Sequence, residues 1–346
     1  MLNLDKTARI LSCGAASLAV SLPLHFAGLA NILLFFPGAW LLTTSVYVLV
    51  ANLRVPASGK AVLVTGCDTG FGHGLAVHLH QLGFRVFAGC LEANTAGEGA
   101  ERLRRLFTER MHVLQLDITK EEQVNAALHE VKMILPASEV LWGVVNNAGL
   151  STFGAVEWVP MTTYRKLAEV NIFGHISVTK VFLPLVRKSK GRIVNVTSVE
   201  GRMAGPLVST YDLTKFAMEG FSDSLRHEMR RFGVHVSLVE PGNFTAGTSL
   251  NTDERVVKFA EEMWASMDAE VKLAYGKQYF NDVIASRMIV NRSGETDLSP
   301  AIEAMADALT QRFPQARYSP MGLDLFVRMF VAEHLPEWVS DHLLVG

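Results

Sequence analysis

Cysteine is scarce in this chain. There are three in 346 residues, and Cys13, Cys67 and Cys90 are too few and too scattered for a disulfide framework or a metal-ligand spacing. The eleven histidines include no HExxH pair, and His78 and His80 stand two apart on an expected helix, pointing in different directions. No metal is expected. Excess charge of either sign is also missing: Lys+Arg 32 against Asp+Glu 34 gives a net charge of −2, which leaves no electrostatic footprint for nucleic acid. Disorder is excluded by composition, since 49% of residues are apolar and 19% charged.

The most local absence lies near the start, where no Asp, Glu, Lys or Arg occurs between Arg9 and Arg54. Residues 10–53 exceed the roughly 20 residues of one membrane span, and Pro37-Gly38 interrupts them. Two apolar segments, near 10–30 and 33–53, suit a helical hairpin, or one span with a re-entrant piece. Lys6 and Arg9 precede the run and Arg54 and Lys60 follow it, which favours both ends on the cytoplasmic side. The run is too long for a cleaved signal core, and Asp5 with Arg9 as the sole arginine before residue 54 is unlike an Arg-rich mitochondrial presequence. The expectation is an anchor in a lipid bilayer, with the endoplasmic reticulum favoured, the catalytic part facing cytosol, and the mitochondrial inner membrane as alternative.

From Lys60 onward short apolar runs alternate with longer helical ones. Strands are expected at Ala61–Val64, Arg85–Ala88, Val113–Leu116, Gly143–Asn146, Arg192–Asn195 and Val234–Val239. Helices are expected between them, including Leu75–Leu82, Glu121–Leu135, Thr163–Lys188 and Tyr211–Arg231. Continuous apolar strands separated by helices predict an α/β fold with a doubly wound, Rossmann-type parallel sheet and a ligand crevice at the strands' carboxyl ends. After Pro241-Gly242 the alternation fades into helices, with one late strand at Arg317-Tyr318-Ser319. The expected organisation is an anchor over 1–55, a dinucleotide-binding core over 56–250, and a helical extension over 251–346 within the same domain.

Thr65-Gly66-Cys67-Asp68-Thr69-Gly70-Phe71-Gly72 follows the first strand and opens a helix, where glycines let a pyrophosphate approach backbone N–H groups. No Lys-Ser or Lys-Thr follows, so this is not a P-loop. Tyr211 and Lys215, four apart on a helix, share a face. A Lys ammonium together with an oxidised nicotinamide lowers a phenol's proton affinity, and the tyrosine can then exchange a proton with an alcohol oxygen. Ser198, at the end of the fifth strand, can hydrogen-bond the same oxygen.

In chain order, Gly66/Gly70/Gly72, Asn146-Asn147-Ala148-Gly149, Asn171, Ser198, Tyr211/Lys215 and Pro241-Gly242 resemble the short-chain dehydrogenase/reductase family over about residues 60–250. The resemblance implies that Tyr211 is the general acid/base, that Ser198 positions the substrate oxygen, and that Lys215 holds the ribose and tunes Tyr211. Asn171 would hold a proton-relaying water. It also implies cofactor contacts at Gly66, Thr69, Gly70, Phe71, Gly72, Cys90, Asp117, Asn147, Ala148, Gly149, Tyr211, Lys215, Pro241 and Gly242. Cys90-Leu91 and Glu240-Pro241-Gly242 are similar to the membrane-associated branch of 3-hydroxybutyrate, 17β- and 11β-hydroxysteroid and retinol dehydrogenases. Residues 147–154 and Pro241–Phe244 are most similar to its D-3-hydroxybutyrate dehydrogenases.

NAD is favoured over NADP, because no Arg or Lys stands in the glycine turn or just after Cys90 and Glu92 lies nearby. The substrate is a secondary alcohol or its ketone, with two candidates. Arg202 would pair with the carboxylate of a small hydroxy acid; Phe244 and an apolar flap containing Phe326 would suit a steroid or retinoid, which also gives a physical reason for a membrane anchor. A homo-oligomer is compatible with both. A catalytically idle dinucleotide sensor or scaffold is the competing class, and it would need the glycine turn but not Ser198, Tyr211 and Lys215.

Overall fold

A computed structural model describes residues 4–95, 97–106, 109–248 and 250–344. The chain opens with α1 (Leu4–Phe26) and α2 (Ile32–Ala51). The alternating region follows as β1 (Lys60–Thr65), α3 (Gly70–Gln81), β2 (Arg85–Cys90), α4 (Glu98–Leu106), β3 (Met111–Gln115), α5 (Glu121–Ile134) and β4 (Val140–Asn146). It continues with α6 (Met161–Ala168), α7 (His175–Ser189), β5 (Arg192–Val196), α8 (Ser209–Met229) and β6 (His235–Val239). The remainder is α9 (Asp253–Ser266), α10 (Ala269–Tyr275), α11 (Lys277–Arg292), α12 (Ser299–Thr310), β7 (Arg317–Tyr318), α13 (Leu323–His334) and α14 (Glu337–Leu344).

All seven strands are parallel, in the order β3-β2-β1-β4-β5-β6-β7, so the doubly wound sheet expected from the alternation is what forms. Strand order reverses between β1 and β4, which opens a crevice at their carboxyl ends. Alternate residues of β1 feed opposite layers. Val62 and Val64 pack with Leu75 and Leu79 of α3, Leu103 of α4 and Met305 and Leu309 of α12. Ala61 and Leu63 pack with Val124 and Val131 of α5, Phe182 and Val186 of α7 and Leu225 of α8. A third apolar cluster, with Phe153, Trp158, Met263 and Phe280, joins α9 and α11 to the loop after β4.

Two elements differ from expectation. The helix expected over 163–188 is broken by a π turn, Glu169–Gly174, between α6 and α7. The anchor boundary expected at residue 55 also shifts: Val55 N–H donates to Thr310 O at 2.7 Å, Arg312 N–H to Leu53 O at 2.8 Å, and Arg54 pairs with Asp307 at 2.8 Å. Residues 53–55 therefore pair with the end of α12. Before them, α1 and α2 each contain 20 residues apolar enough to cross a membrane, roughly 30 Å of helix at 1.5 Å per residue. They meet through small and polar groups: Gly14 faces the Trp40 indole, Trp40 Nε1 donates to Ile10 O at 2.9 Å, and the Ser17 and Thr43 hydroxyls are 3.1 Å apart. No residue of α2 is buried.

Candidate active site

The glycine turn closes onto a piece of chain eighty residues away. Gly66 has φ +71 and Gly70 φ +59, left-handed values that glycine adopts without strain. A Cβ on Gly66 would lie 2.7 Å from Ala148 Cα, and one on Gly72 would lie 2.2 Å from Gly66 O. Thr65 Oγ1 accepts from Asn147 N–H and Ala148 N–H, both at 3.0 Å, and Asn147 Nδ2 donates to Thr65 O at 2.9 Å and Gly66 O at 3.2 Å. Asn147 thus braces the turn. Gly72 has the same role, its missing side chain letting the turn close. Thr69, the N-cap of α3, makes no side-chain cap. Gly66, Thr69, Gly70 and Phe71 line a cavity of about 1670 Å³, larger than the roughly 300–1,000 Å³ of a small-molecule pocket. A backbone cradle at a helix N-terminus fits a pyrophosphate, and the volume fits a dinucleotide with a substrate.

At the end of β2 the expected contact at Cys90 is corrected. Its side chain is fully buried in the core and does not line the cavity; Leu91 and Glu92 do. They are held by Asp68, whose carboxylate accepts Leu91 N–H at 2.9 Å and Glu92 N–H at 3.1 Å. Period-two alternation turns Cys90 inward. Asp117 lines the cavity, with Oδ1 accepting the Thr119 N–H at 2.9 Å and hydroxyl at 2.7 Å. Ala148, Gly149, Pro241, Gly242 and Phe244 line it as well, and Phe244 meets the Phe71 ring edge-on at 5.5 Å.

Ser198, Tyr211 and Lys215 converge on the same cavity. Ser198 sits past β5 as the N-cap of a short 3₁₀ turn, and its hydroxyl hydrogen-bonds Tyr211. Burial pushes the Tyr211 phenol up; the Ser198 hydrogen bond and the Arg287 charge oppose this, while Glu200 and Asp212 add to it. The lowering expected from Lys215 is not what dominates. Lys215 Nζ lies 5.3 Å from the Tyr211 ring centroid and donates to Val196 O at 3.1 Å, and burial pulls its ammonium down to about 8.

Asn171 does not line the cavity. It is fully buried in the π turn, where Oδ1 accepts Leu150 N–H at 2.8 Å and Nδ2 donates to Leu150 O at 2.8 Å and Thr214 Oγ1 at 3.0 Å. Its side chain is spent on scaffold, tying the loop after β4 to the turn of α8 that carries Tyr211. Next to it His175 donates from Nε2 to Ala148 O at 2.6 Å. Burial and the Lys215 charge pull that imidazole down to about 4, so it is neutral.

Two of the three substrate candidates are corrected, Phe244 alone being at the cavity. Arg202 does not face the cavity: it pairs with Glu240 at 2.9 Å and with Glu333 of α13, so its charge is already matched. Phe326 does not line the cavity either; Met321 and Leu325 do. In their place the fold brings up groups that no motif marks. Arg287 of α11 and Glu200 line the cavity, with Asp212 of α8 beside Glu200. Burial and the Glu200 charge push Asp212 up to about 7, and burial holds Glu200 above the ordinary carboxylate range.

The sequence pattern of the short chain dehydrogenase family matches residues 60–256. The rat mitochondrial D-beta-hydroxybutyrate dehydrogenase is 47% identical over 320 residues, covering 92% of each chain. Bovine 17-beta-hydroxysteroid dehydrogenase type 6 is 39% identical over 289 residues, covering 82% of this chain and 87% of that one. The crystal structure of a short-chain dehydrogenase from Streptomyces avermitilis superposes with a TM-score of 0.64 at 26% identity, covering 83% of this chain and 95% of that one. Sheet order, glycine turn and sequence agree: the chain belongs to the short-chain dehydrogenase family, as an oxidoreductase that interconverts an alcohol and a ketone with a nicotinamide dinucleotide.

Proposed function

We propose that the protein is an NAD-linked dehydrogenase of a small 3-hydroxy acid, of the 3-hydroxybutyrate type, held in a membrane by α1 and α2. The observation that carries the substrate is the graded likeness: 47% identity over 92% of the chain to a D-beta-hydroxybutyrate dehydrogenase, against 39% over 82% to a hydroxysteroid enzyme. NAD rather than NADP is supported by Asp68 and Glu92, the charged residues lining the cavity from the ends of β1 and β2; two carboxylates repel a 2′-phosphate. The rat, mouse and bovine relatives so named are all mitochondrial, which supports a mitochondrial membrane. The endoplasmic reticulum, favoured by the apolar start, gains no such support.

Bound at the glycine turn, the dinucleotide supplies the hydride acceptor or donor. Ser198 hydrogen-bonds the substrate oxygen. Tyr211, which burial favours as the neutral phenol, gives its proton to that oxygen in reduction; in oxidation it must first release that proton to solvent, and its phenolate then takes the proton of the substrate hydroxyl. Lys215 keeps its charge at neutral pH and offers it to the ribose. Detergent-purified full-length protein should produce NADH from D-3-hydroxybutyrate, and not from a 17β-hydroxysteroid or retinol assayed in parallel. Turnover of the lipidic alcohols alone would defeat the substrate assignment.

A further inference from the structure

We propose that Arg287 binds the substrate's carboxylate, holding a short hydroxy acid with its hydroxyl on Ser198 and Tyr211. This rests on the small-acid reading above. Arg287 projects from α11 into the cavity that Ser198 and Tyr211 share, its guanidinium 5.9 Å from the Phe153 ring. Its Nε is out of solvent without a hydrogen-bond partner, and the side chain forms no ion pair with any described residue. A buried guanidinium N–H left unmatched is unfavourable, and the planar fork of donors matches a carboxylate.

The other arginines nearby are engaged. Arg202 is held by Glu240 and Glu333, and Arg317 by Glu219, Asp223 and Glu240. Arg255 and Arg328 line the cavity but have interactions of their own. The adjacent carboxyls do not saturate Arg287. Neither Glu200 nor Asp212 forms an ion pair with it within 4.0 Å, and Asp212 Oδ2 accepts Gly205 N–H at 3.0 Å. Arg287 also lies on the substrate side, since its charge acts on the Tyr211 hydroxyl, while the pyrophosphate cradle belongs to β1 and α3. A steroid or retinol has no carboxylate to offer, so this contact would also set specificity.

The test compares D-3-hydroxybutyrate with its uncharged methyl ester, using full-length protein, Arg287→Met and Arg287→Lys. Arg287→Met should raise KM for the acid about 10–100-fold, the range of a lost charge-assisted hydrogen bond, and lower the acid-to-ester ratio of kcat/KM by a similar factor, because any change in the proton affinity of Tyr211 acts on both substrates alike. Arg287→Lys should recover part of the preference for the acid. NADH affinity and melting temperature should stay at wild-type values in both variants. If wild-type protein uses the acid and both variants keep its acid-to-ester preference, the role of Arg287 is overturned while the substrate reading stands. Wild-type protein that uses only steroid or retinol overturns both.

Discussion

The Tyr211 hydroxyl has to release and retake a proton while buried beside two carboxyls, Glu200 and Asp212, that make release harder. Ser198 and Arg287 oppose them, so the proton affinity of this hydroxyl is a balance among side chains brought from β5, α8 and α11. Tyr211→Phe should lower kcat by about 10²–10⁴-fold, the usual worth of general acid/base chemistry, with NADH fluorescence titration showing unchanged affinity. The acid pair makes a separate prediction about stability. An Asp unfolds to its ordinary value of 3.8, whereas Asp212 is pushed up to about 7. Between those values the folded chain holds a proton the unfolded chain has released, so this group's contribution to stability falls as pH rises through the window. Glu219, pushed up to about 7, acts with the same sign; His175, pulled down to about 4, acts with the opposite sign up to its ordinary 6.5. Asp212→Asn removes the first contribution and leaves those of Glu219 and His175 in place. Its gain in urea midpoint over wild type should therefore grow between about pH 5 and about pH 7.5, and a constant difference would contradict the assignment.

At the scale of elements, the strands and most helices were legible because they are local patterns. Doubly buried β1 reads as a continuous apolar run, and a glycine turn must follow it where backbone meets backbone. Gly72→Ala tests that turn. Its new Cβ would collide with Gly66 O, a backbone atom that cannot rotate away. A loss of about 1–3 kcal/mol and of most NADH affinity is expected, from urea unfolding and fluorescence titration. The π turn was not legible. Its sequence is compatible with an unbroken α-helix, and the π turn is where Asn171 clasps both the N–H and the C=O of Leu150. Asn171→Ala leaves those groups unmatched and should destabilise by on the order of 3 kcal/mol, lowering kcat through displacement of α8 rather than through lost chemistry.

Across the whole molecule the apolar hairpin is joined to the sheet through the short antiparallel contact of residues 53–55 with 310–312. A cut after residue 50 keeps that contact and removes α1 and α2. The truncated protein should retain NADH affinity within about threefold and leave the membrane fraction under carbonate, since no core residue is lost. A cut after residue 55 also removes Arg54 from Asp307 and the Val55 donor from Thr310, and should lower the melting temperature relative to the first. Equal melting of the two truncations would show that the contact contributes nothing.

What the chain determined by itself is whatever short-range physics decides. Apolar periodicity set the sheet and its helices, the uncharged run set the two long apolar helices, and four-residue spacing put Tyr211 and Lys215 on one face. What only the tertiary structure decided is which side chains are left with unmatched groups at the site. Cys90 and Leu91 are neighbours, yet Cys90, the last residue of β2, turns into the core while Leu91, just past the strand, lines the cavity. Phe326 and Leu325 divide in the same way on α13. Arg202 and Arg287 look equivalent as arginines near the catalytic elements. Yet Arg202 meets Glu240 from β6's end and Glu333 from α13, while Arg287 forms no ion pair among the described residues. An arginine's availability is not a property of its own segment. It is settled by which carboxylates the rest of the fold brings within reach, and that depends on packing between elements far apart along the chain.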